Sequence, residues 1–139
     1  MKYLLDTCVI SELTKLQPNN HVLIWLQATQ SENLFLSVIN IGEIKKGIYK
    51  LPASSKKQAL LLWLTALLSD YQNRILPVDL AVMENWSSIV ASAEKIGQPV
   101  ASMDSLIAAT AYTHHLALVT RNERDFTACN ITIINPWSD

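Results

Sequence analysis

Short apolar runs alternate along the chain with longer segments in which apolar residues recur every three or four positions. Short runs bounded by turn residues are typical of buried strands, whereas the longer period is typical of helices that bury one face. Strands that alternate with helices predict an α/β fold, here a single three-layer α/β/α domain over residues 1–139 with a mostly parallel central sheet. The expected strands are Tyr3–Leu5, Asn33–Ser37, Ile75–Val78, Leu116–Thr120 and Ile131–Ile134.

The helical segments carry start and stop signals of their own. We expect Thr7 to cap the first helix with its hydroxyl, and the apolar spacing extends that helix as far as Leu16. Asp79 is expected to cap a later helix, and a proline in the strand before it predicts an edge strand. Gly42 and Gly47 inside one helix predict close packing or the close approach of another chain. The other helices are expected over residues 21–30, 38–50, 54–71 and 102–115.

Composition limits the function classes. Of the 139 residues, 50% are hydrophobic and 17% are charged, so much of the chain is expected to lie in a core or an interface. A net charge of −1 gives no global sign of nucleic-acid or membrane binding, so any phosphate-binding patch must be local. Cys8 and Cys129 fit no disulfide or zinc pattern and are expected to be reduced thiols. The sequence shows neither a signal-peptide pattern nor a membrane-length apolar run, and we expect a cytoplasmic protein.

Four acidic residues follow predicted strands or fall in the helix after one. They are Asp6, Glu43, Asp104 and Asp125. If the strands are parallel, these side chains gather at the edge of the sheet where ligands bind in open α/β folds. Carboxylates without histidine or cysteine favour Mg²⁺ or Mn²⁺ over zinc.

Each acid also has an ordinary structural explanation. Asp6 can cap a helix, and Asp104 can favour a helix N-terminus through the helix dipole. Glu43 can pair with Lys46 on a helix surface, and Asp125 can be a loop residue. These explanations are credible for each residue alone and are disfavoured for all four together.

Five stretches of the chain, in this order and at this spacing, resemble PIN-domain ribonucleases. The resemblance is greatest to the VapC/FitB-like toxins of prokaryotic toxin–antitoxin pairs. It extends from one end of the chain to the other, and the set of stretches is specific although each alone is weak. The stretches are Leu4–Glu12, Leu36–Ile44, Asp104–Ala111, Leu118–Asn122 and Asn135–Trp137.

The resemblance implies roles for individual residues. Asp6 and Asp104 match the two acids that hold the metal most directly, and Glu43 matches the third acid. The fourth position departs from the pattern, because Asn122 stands where some relatives have aspartate and Asp125 follows three residues later. Either Asp125 supplies the fourth charge or the second metal position is weak. The resemblance further implies that Thr7 and Thr120 support the site, and Lys46 and Arg121 are candidates to contact the substrate.

The function that the resemblance implies is an Mg²⁺-dependent endoribonuclease toxin that a cognate antitoxin inhibits. It also implies a homodimer that meets operator DNA only through the antitoxin, without membrane association. The excess of apolar residues on helix 54–71 predicts a second buried surface there, for the dimer or the antitoxin. One alternative is a catalytically inactive PIN-fold binding module, which the retention of Asp6, Glu43 and Asp104 disfavours. Another is a domain that binds a small phosphorylated ligand, which is disfavoured because no glycine-rich loop follows the first strand.

Overall fold

Five strands form one sheet in the order β3-β2-β1-β4-β5, and every pairing between neighbours is parallel. This computed structural model describes residues 1–138 and confirms the predicted α/β fold with its parallel sheet. The strands are β1 (Tyr3–Leu5), β2 (Leu34–Ser37), β3 (Ile75–Leu76), β4 (Ala117–Val119) and β5 (Ile133–Ile134). The helices are α1 (Thr7–Glu12), α2 (Asn20–Gln27), α3 (Val38–Tyr49), α4 (Ser55–Asp70), α5 (Leu80–Lys95) and α6 (Ser102–Thr113). Two 3₁₀ helices cover Ser31–Asn33 and Glu123–Cys129.

The central strand β1 contributes to a core on each face of the sheet. Successive side chains of a strand point to opposite faces, so Leu4 and Leu5 enter different cores. The core around Leu5 is covered mainly by α1, α2, α3 and α4. The core around Leu4 is covered mainly by α6 and by Phe126 of the second 3₁₀ helix. Because both faces are covered, the strands are almost uninterrupted apolar runs, as the sequence indicated.

Parallel pairing brings the carboxyl ends of β1, β2 and β4 to one edge of the sheet. Leu5 pairs with Val119, and the backbone N–H of Asp6 donates to the Val119 carbonyl at 3.0 Å. Ser37, the last residue of β2, is fully buried and caps α3 by accepting a bond from the Asn40 amide. The residues that follow β1, β2 and β4 therefore begin from neighbouring positions. As predicted, β3 lies at an edge of the sheet and Asp79 caps α5.

The prediction for the first helix is wrong in length and in its cap. The helix α1 ends at Glu12, and the side chain of Leu16 is fully exposed. The buried carboxylate of Glu12 instead pairs with Lys15 and accepts a bond from the backbone N–H of Asn19. These contacts fold the chain into a turn. The side chain of Leu16 is therefore exposed, although its spacing from the earlier apolar residues is helical.

The glycines of α3 face open space within this chain. A Cβ atom built on Gly42 or Gly47 would meet nothing within 4 Å, so the expectation of close packing inside the chain is wrong there.

The second apolar surface expected on α4 is mostly covered by the core of this chain. Most of its apolar residues pack against the core, whereas the side chain of Leu62 is 72% exposed. Within residues 1–138, no helix has the length and hydropathy needed to span a membrane.

Candidate active site

Asp6 is the most enclosed of the four acids. It directly follows β1, and its side chain is buried. Its Oδ1 accepts bonds from the Thr7 amide at 2.8 Å and from the Asn40 side-chain amide at 3.3 Å. Its Oδ2 accepts a bond from the Thr120 hydroxyl at 2.7 Å. Asp6 therefore both caps α1 and holds one fixed orientation at the edge of the sheet.

Glu43 is tied to the same group of residues through Thr7. The Thr7 hydroxyl donates to Oε1 of Glu43 at 2.8 Å, across 36 positions of sequence. The expectation that this hydroxyl caps α1 is wrong, because Asp6 fills that place with its own carboxylate. The structure thus links Asp6 and Glu43 through a single threonine.

Asn40 was missed by reasoning from the sequence, although it bonds both Asp6 and Thr7. Its side chain is fully buried and donates to Asp6 and, at 3.0 Å, to the Thr7 hydroxyl oxygen. Its carbonyl oxygen accepts a bond from the Ser37 hydroxyl. A signal was present in the spacing, because Asn40 lies three residues after the cap Ser37 and three before Glu43, on the same helix face.

Asp104 lies in the first turn of α6 and is half-buried. Burial is the main cause that raises the pKa of its carboxyl group from 3.8 to about 6. The negative charges of Asp125, Asp6 and Glu43 raise this pKa further, in that order. The other three predicted acids therefore lie close enough to Asp104 to act on it electrostatically.

Asp125 and Asn122 share the irregular segment after β4. The backbone N–H of Asn122 donates to the Thr120 hydroxyl at 3.0 Å, and the Asn122 carbonyl accepts from the Asp125 amide at 3.1 Å. Asp125 exerts the largest charge effect on Asp104, although its side chain is exposed. In this segment the charge that acts on Asp104 thus comes from Asp125, and Asn122 contributes through its backbone.

Comparison with known proteins shows the family of the chain. The sequence profile of the PIN domain matches residues 3–129. The chain belongs to the PIN domain family. It is 37% identical over 134 residues to VapC ribonuclease Y4jK of Sinorhizobium fredii, which covers 96% of either protein. It is 38% identical over 137 residues to toxin FitB of Neisseria gonorrhoeae, covering 98% of this chain and 99% of FitB.

A solved structure of FitAB bound to an IR36 DNA fragment has the same fold as this PIN domain. The TM-score is 0.94 at 36% sequence identity, over 99% of this chain and 96% of the other. The resemblance to VapC/FitB-like proteins that the sequence motifs predicted is therefore confirmed.

The basic residues of this PIN domain surround the acids without neutralising them. Lys46 is exposed and lines an apolar groove with Glu43, Val38 and Met103. Arg121 lies over the ring of Trp137, 5.3 Å from its centroid, and Arg124 lines a cavity of about 320 Å³ that also holds Asp104 and Asp125. Glu43 accepts a hydrogen bond from Thr7 and forms no ion pair with Lys46. Within residues 1–138 the ion pair is between Lys15 and Glu12, and none of the four acids takes part in it.

The thiol of Cys8 lies beside the acid cluster. Its Sγ atom is 3.6 Å from the Thr120 hydroxyl and accepts a bond from the Arg121 amide at 3.4 Å. Burial is the main cause that raises the pKa of this thiol above 9.0. Cys8 and Cys129 are both free cysteines in the structure.

The donor atoms suit a hard divalent cation. The acids offer only oxygen, and the pKa of Asp104 is raised by burial and by the like charges of the other acids, which a cation would offset. Over residues 1–138, no three acidic, histidine or cysteine side chains converge on one point that could hold a metal ion. Mg²⁺ is commonly held by one or two carboxylates with water completing its shell, so Asp6 and Asp104 fit that requirement.

Proposed function

We propose that this PIN domain is an Mg²⁺-dependent endoribonuclease and the toxic component of a type II toxin–antitoxin pair. The observation that carries the proposal is the hydrogen-bonded link of Asp6 to Glu43 through Thr7 at the end of β1. The pKa of Asp104, which burial and then the charges of Asp125, Asp6 and Glu43 raise, supports the proximity of the other acids. The similarity to a VapC ribonuclease and to toxin FitB over nearly the whole chain supports the same activity. We further propose that the protein acts in the cytoplasm.

Asp6 and Asp104 would hold the metal, with Mn²⁺ as a possible replacement for Mg²⁺. A bound cation supplies positive charge that activates a water molecule and offsets charge on the leaving oxygen. Thr120 and the Thr7 amide orient Asp6, and the Thr7 hydroxyl orients Glu43 toward the same place. Asp125 adds negative charge beside Asp104 and so favours a cation there.

The substrate would be RNA, held through its phosphates by the basic residues around the cluster. Lys46 and Arg124 line depressions that also contain acids of the site, and Arg121 follows Thr120 directly. Each of these three side chains is exposed, so each can reach a phosphate without losing an existing ion pair. Lys50, one turn further along α3, is exposed and is assigned to the solvated surface.

The proposed inhibitor is a cognate antitoxin, and operator DNA would be met only through it. A cavity of about 210 Å³ extends from Thr7 and Glu43 along an apolar wall that includes Leu60 and Trp63. An amphipathic helix can dock in such a groove, and a basic side chain on it would reach Glu43 and oppose the cation. The similarity to the solved structure of FitAB bound to a DNA fragment supports an assembly of this kind.

The direct test of the activity is cleavage of total RNA by the purified protein in Mg²⁺, in Mn²⁺ and in EDTA. We expect cleavage with either metal and none with the chelator. Undiminished cutting in EDTA would contradict the proposal. A folded, metal-loaded protein that cuts no RNA would support the alternative of an inactive binding module.

The partner proposal is tested by sedimentation, with and without the product of the adjacent small gene. We expect a dimer at micromolar concentration and a tighter, nuclease-silent complex with that product. Leu62→Lys places a charge on the exposed apolar residue of α4, and Ser69→Lys is the matched change at an exposed polar residue of the same helix. The α4 surface takes no part in assembly if both variants assemble as the unmodified protein does.

A further inference from the structure

Asn40 lies at the centre of a buried network that joins two of the four acids. It donates one amide hydrogen to Asp6 and the other to the Thr7 hydroxyl oxygen, which in turn donates to Glu43. We infer that Asn40 is a positioning residue, which holds Asp6 and Glu43 as oriented acceptors for a divalent cation. This inference rests on the proposed nuclease function.

The orientation of the Asn40 amide is fixed by Ser37. The Ser37 hydroxyl donates to the Asn40 carbonyl oxygen, and Ser37 in turn accepts a bond from the Asn40 backbone amide. A reversed side-chain amide would place its carbonyl oxygen against the Asp6 carboxylate, where two acceptors would repel. Both side-chain amide hydrogens and the carbonyl of this fully buried residue are therefore used in one arrangement.

This arrangement also fixes the direction of the Thr7 hydroxyl. A hydroxyl has one hydrogen to donate, and an amide nitrogen can only donate to it. Because Asn40 donates to Thr7, the single Thr7 hydrogen is left for Glu43. Two series of hydrogen bonds therefore start at the Asn40 side-chain amide. One ends on Asp6, and the other passes through the Thr7 hydroxyl and ends on Glu43.

The network leaves specific oxygen atoms open to a cation. Oδ1 of Asp6 already accepts two bonds, whereas Oδ2 accepts one short bond from Thr120 and a contact of 3.9 Å from the Cys8 thiol. Oε1 of Glu43 accepts the Thr7 bond, and Oε2 accepts none from any side chain or amide of residues 1–138. Asn40 thus engages Oδ1 of Asp6 directly and Oε1 of Glu43 through Thr7, which leaves Oε2 of Glu43 outside the network and one acceptor site on Oδ2 of Asp6 besides the Thr120 bond.

The competing explanation is that Asn40 only stabilises the start of α3. Its backbone amide does bond the cap Ser37, and that contact would survive replacement of the Asn40 side chain. A purely structural role would lower the melting temperature without a selective effect on metal binding. The test therefore needs a metal-binding measurement and a control that costs similar stability elsewhere.

The test compares unmodified protein with Asn40→Leu, which keeps the branched shape without donors, and Asn40→Thr, which keeps one donor and adds no charge. Thr110→Val is the matched control, because Thr110 is equally buried and its hydroxyl bonds only a backbone carbonyl in α6. Asp6→Asn serves as the reference for a lost metal ligand. The readouts are the melting temperature, Mn²⁺ binding by electron paramagnetic resonance, and kcat and KM for RNA cleavage.

We expect Asn40→Leu to weaken Mn²⁺ binding and to lower kcat by about 10–100-fold, the usual effect of losing a partner that orients a metal ligand. KM for RNA should stay within about twofold, and Thr110→Val should keep both metal binding and kcat. If Asn40→Leu fails to fold, Asn40→Thr should show a loss in the same direction. Either folded variant with unaltered Mn²⁺ binding and kcat, beside an inactive Asp6→Asn, would overturn the role of Asn40 and leave the nuclease intact. If the unmodified protein cuts no RNA, the nuclease proposal fails, and the Mn²⁺ measurement alone decides for or against Asn40.

Discussion

Asp6 and Asp104, the two acids proposed to hold the metal, lie at the same edge of the sheet in contrasting surroundings. Asp6 is enclosed by donors, since an amide, an asparagine side chain and a threonine hydroxyl all point at its carboxylate. Asp104 receives no hydrogen bond on its carboxylate from residues 1–138 and instead faces three other acids. Partial burial is the main cause that raises the pKa of Asp104, and the three neighbouring charges raise it further.

The contrast separates two tasks of a metal site. At Asp6 the protein has already fixed the orientation of a ligand, and the donors keep it fixed without metal. At Asp104 the protein has collected negative charge that is unfavourable until a cation arrives. Part of the binding free energy of the metal should therefore appear as relief of repulsion around Asp104.

The largest expected effect comes from removing either carboxylate. We expect Asp6→Asn and Asp104→Asn each to lower RNA cleavage more than about a hundredfold, because even the partners of metal ligands usually cost 10–100-fold. Their effects on the free energy of unfolding without metal should differ in sign. Asp6→Asn leaves buried donors mismatched and should destabilise by roughly 1–3 kcal/mol, whereas Asp104→Asn should stabilise by about 1 kcal/mol.

Cleavage assays and urea denaturation in EDTA would check both halves of this expectation. Full activity of both variants would refute the assignment of the site. Equal changes in the free energy of unfolding of the two variants would show that the different surroundings of Asp6 and Asp104 do not affect stability.

A smaller loss is expected on the Asp104 side of the site. Asp125→Ala should lower metal-dependent cleavage by about tenfold, whereas Asn122→Ala should change it by less than about threefold, because only Asp125 adds charge beside Asp104. Titration of cleavage with Mg²⁺ would show the difference as a higher Mg²⁺ requirement of Asp125→Ala. Equal, negligible losses would mean that Asp6, Glu43 and Asp104 suffice.

The third prediction concerns the stability of the metal-free protein between pH 5 and pH 7.5. The folded chain holds a proton on Asp104 up to about pH 6, whereas the unfolded chain releases it near 3.8. The stability linked to this proton is present at low pH and is lost as the pH rises through 6. We expect the free energy of unfolding to be about 1 kcal/mol higher at pH 5 than at pH 7.5, after allowing for the solvent that screens a half-exposed group.

The matched comparison is Asp104→Asn, which should lose this part of the pH dependence. Denaturant titrations in EDTA at three pH values would measure it. A variant with the same slope as the unmodified protein would assign the pH dependence to other groups.

The smallest effect is expected at Cys8, which touches both Thr120 and Asp6 through long sulfur contacts of 3.6 and 3.9 Å. Cys8→Ala should lower the free energy of unfolding by no more than about 1 kcal/mol and leave cleavage within about threefold, because these are weak contacts. A loss as large as that of Asp6→Asn would show that the thiol helps to fix Asp6. Thermal melting and a single-time-point cleavage assay are sufficient.

Much of the fold could be predicted because strand and helix signals alternate clearly. The buried run Tyr3–Leu5, the cap Asp79 and the edge position of the third strand follow from local rules of apolar pattern and backbone donors. The end of α1 could not be predicted, because the spacing of Leu16 is helical while its surroundings are solvent. That outcome depends on the bond between Glu12 and Asn19, seven positions apart, which the apolar spacing does not encode.

The charged members of the site are easier to predict than the neutral ones. An acid that follows a buried strand attracts notice, so Asp6, Glu43 and Asp104 can be named from the sequence. Asn40 carries no charge and lies within a helix, so its amide resembles one of many surface groups. Its role depends on the pairing of β1 with β2, which sets Thr7 and Asp6 within reach of α3.

The pairing of β1 with β4 also decides when the site can exist at all. Asp6 and the Thr120 hydroxyl that orients it are 114 positions apart, so Thr120 leaves the ribosome long after Asp6. Parallel pairing of such distant segments forms slowly, because a long loop must close before any contact rewards it. A nascent or prematurely terminated chain that lacks β4 has an incomplete acid cluster. For the nuclease proposed here, the cutting site would be assembled only after β4 and the segment that carries Asp125 have been synthesised.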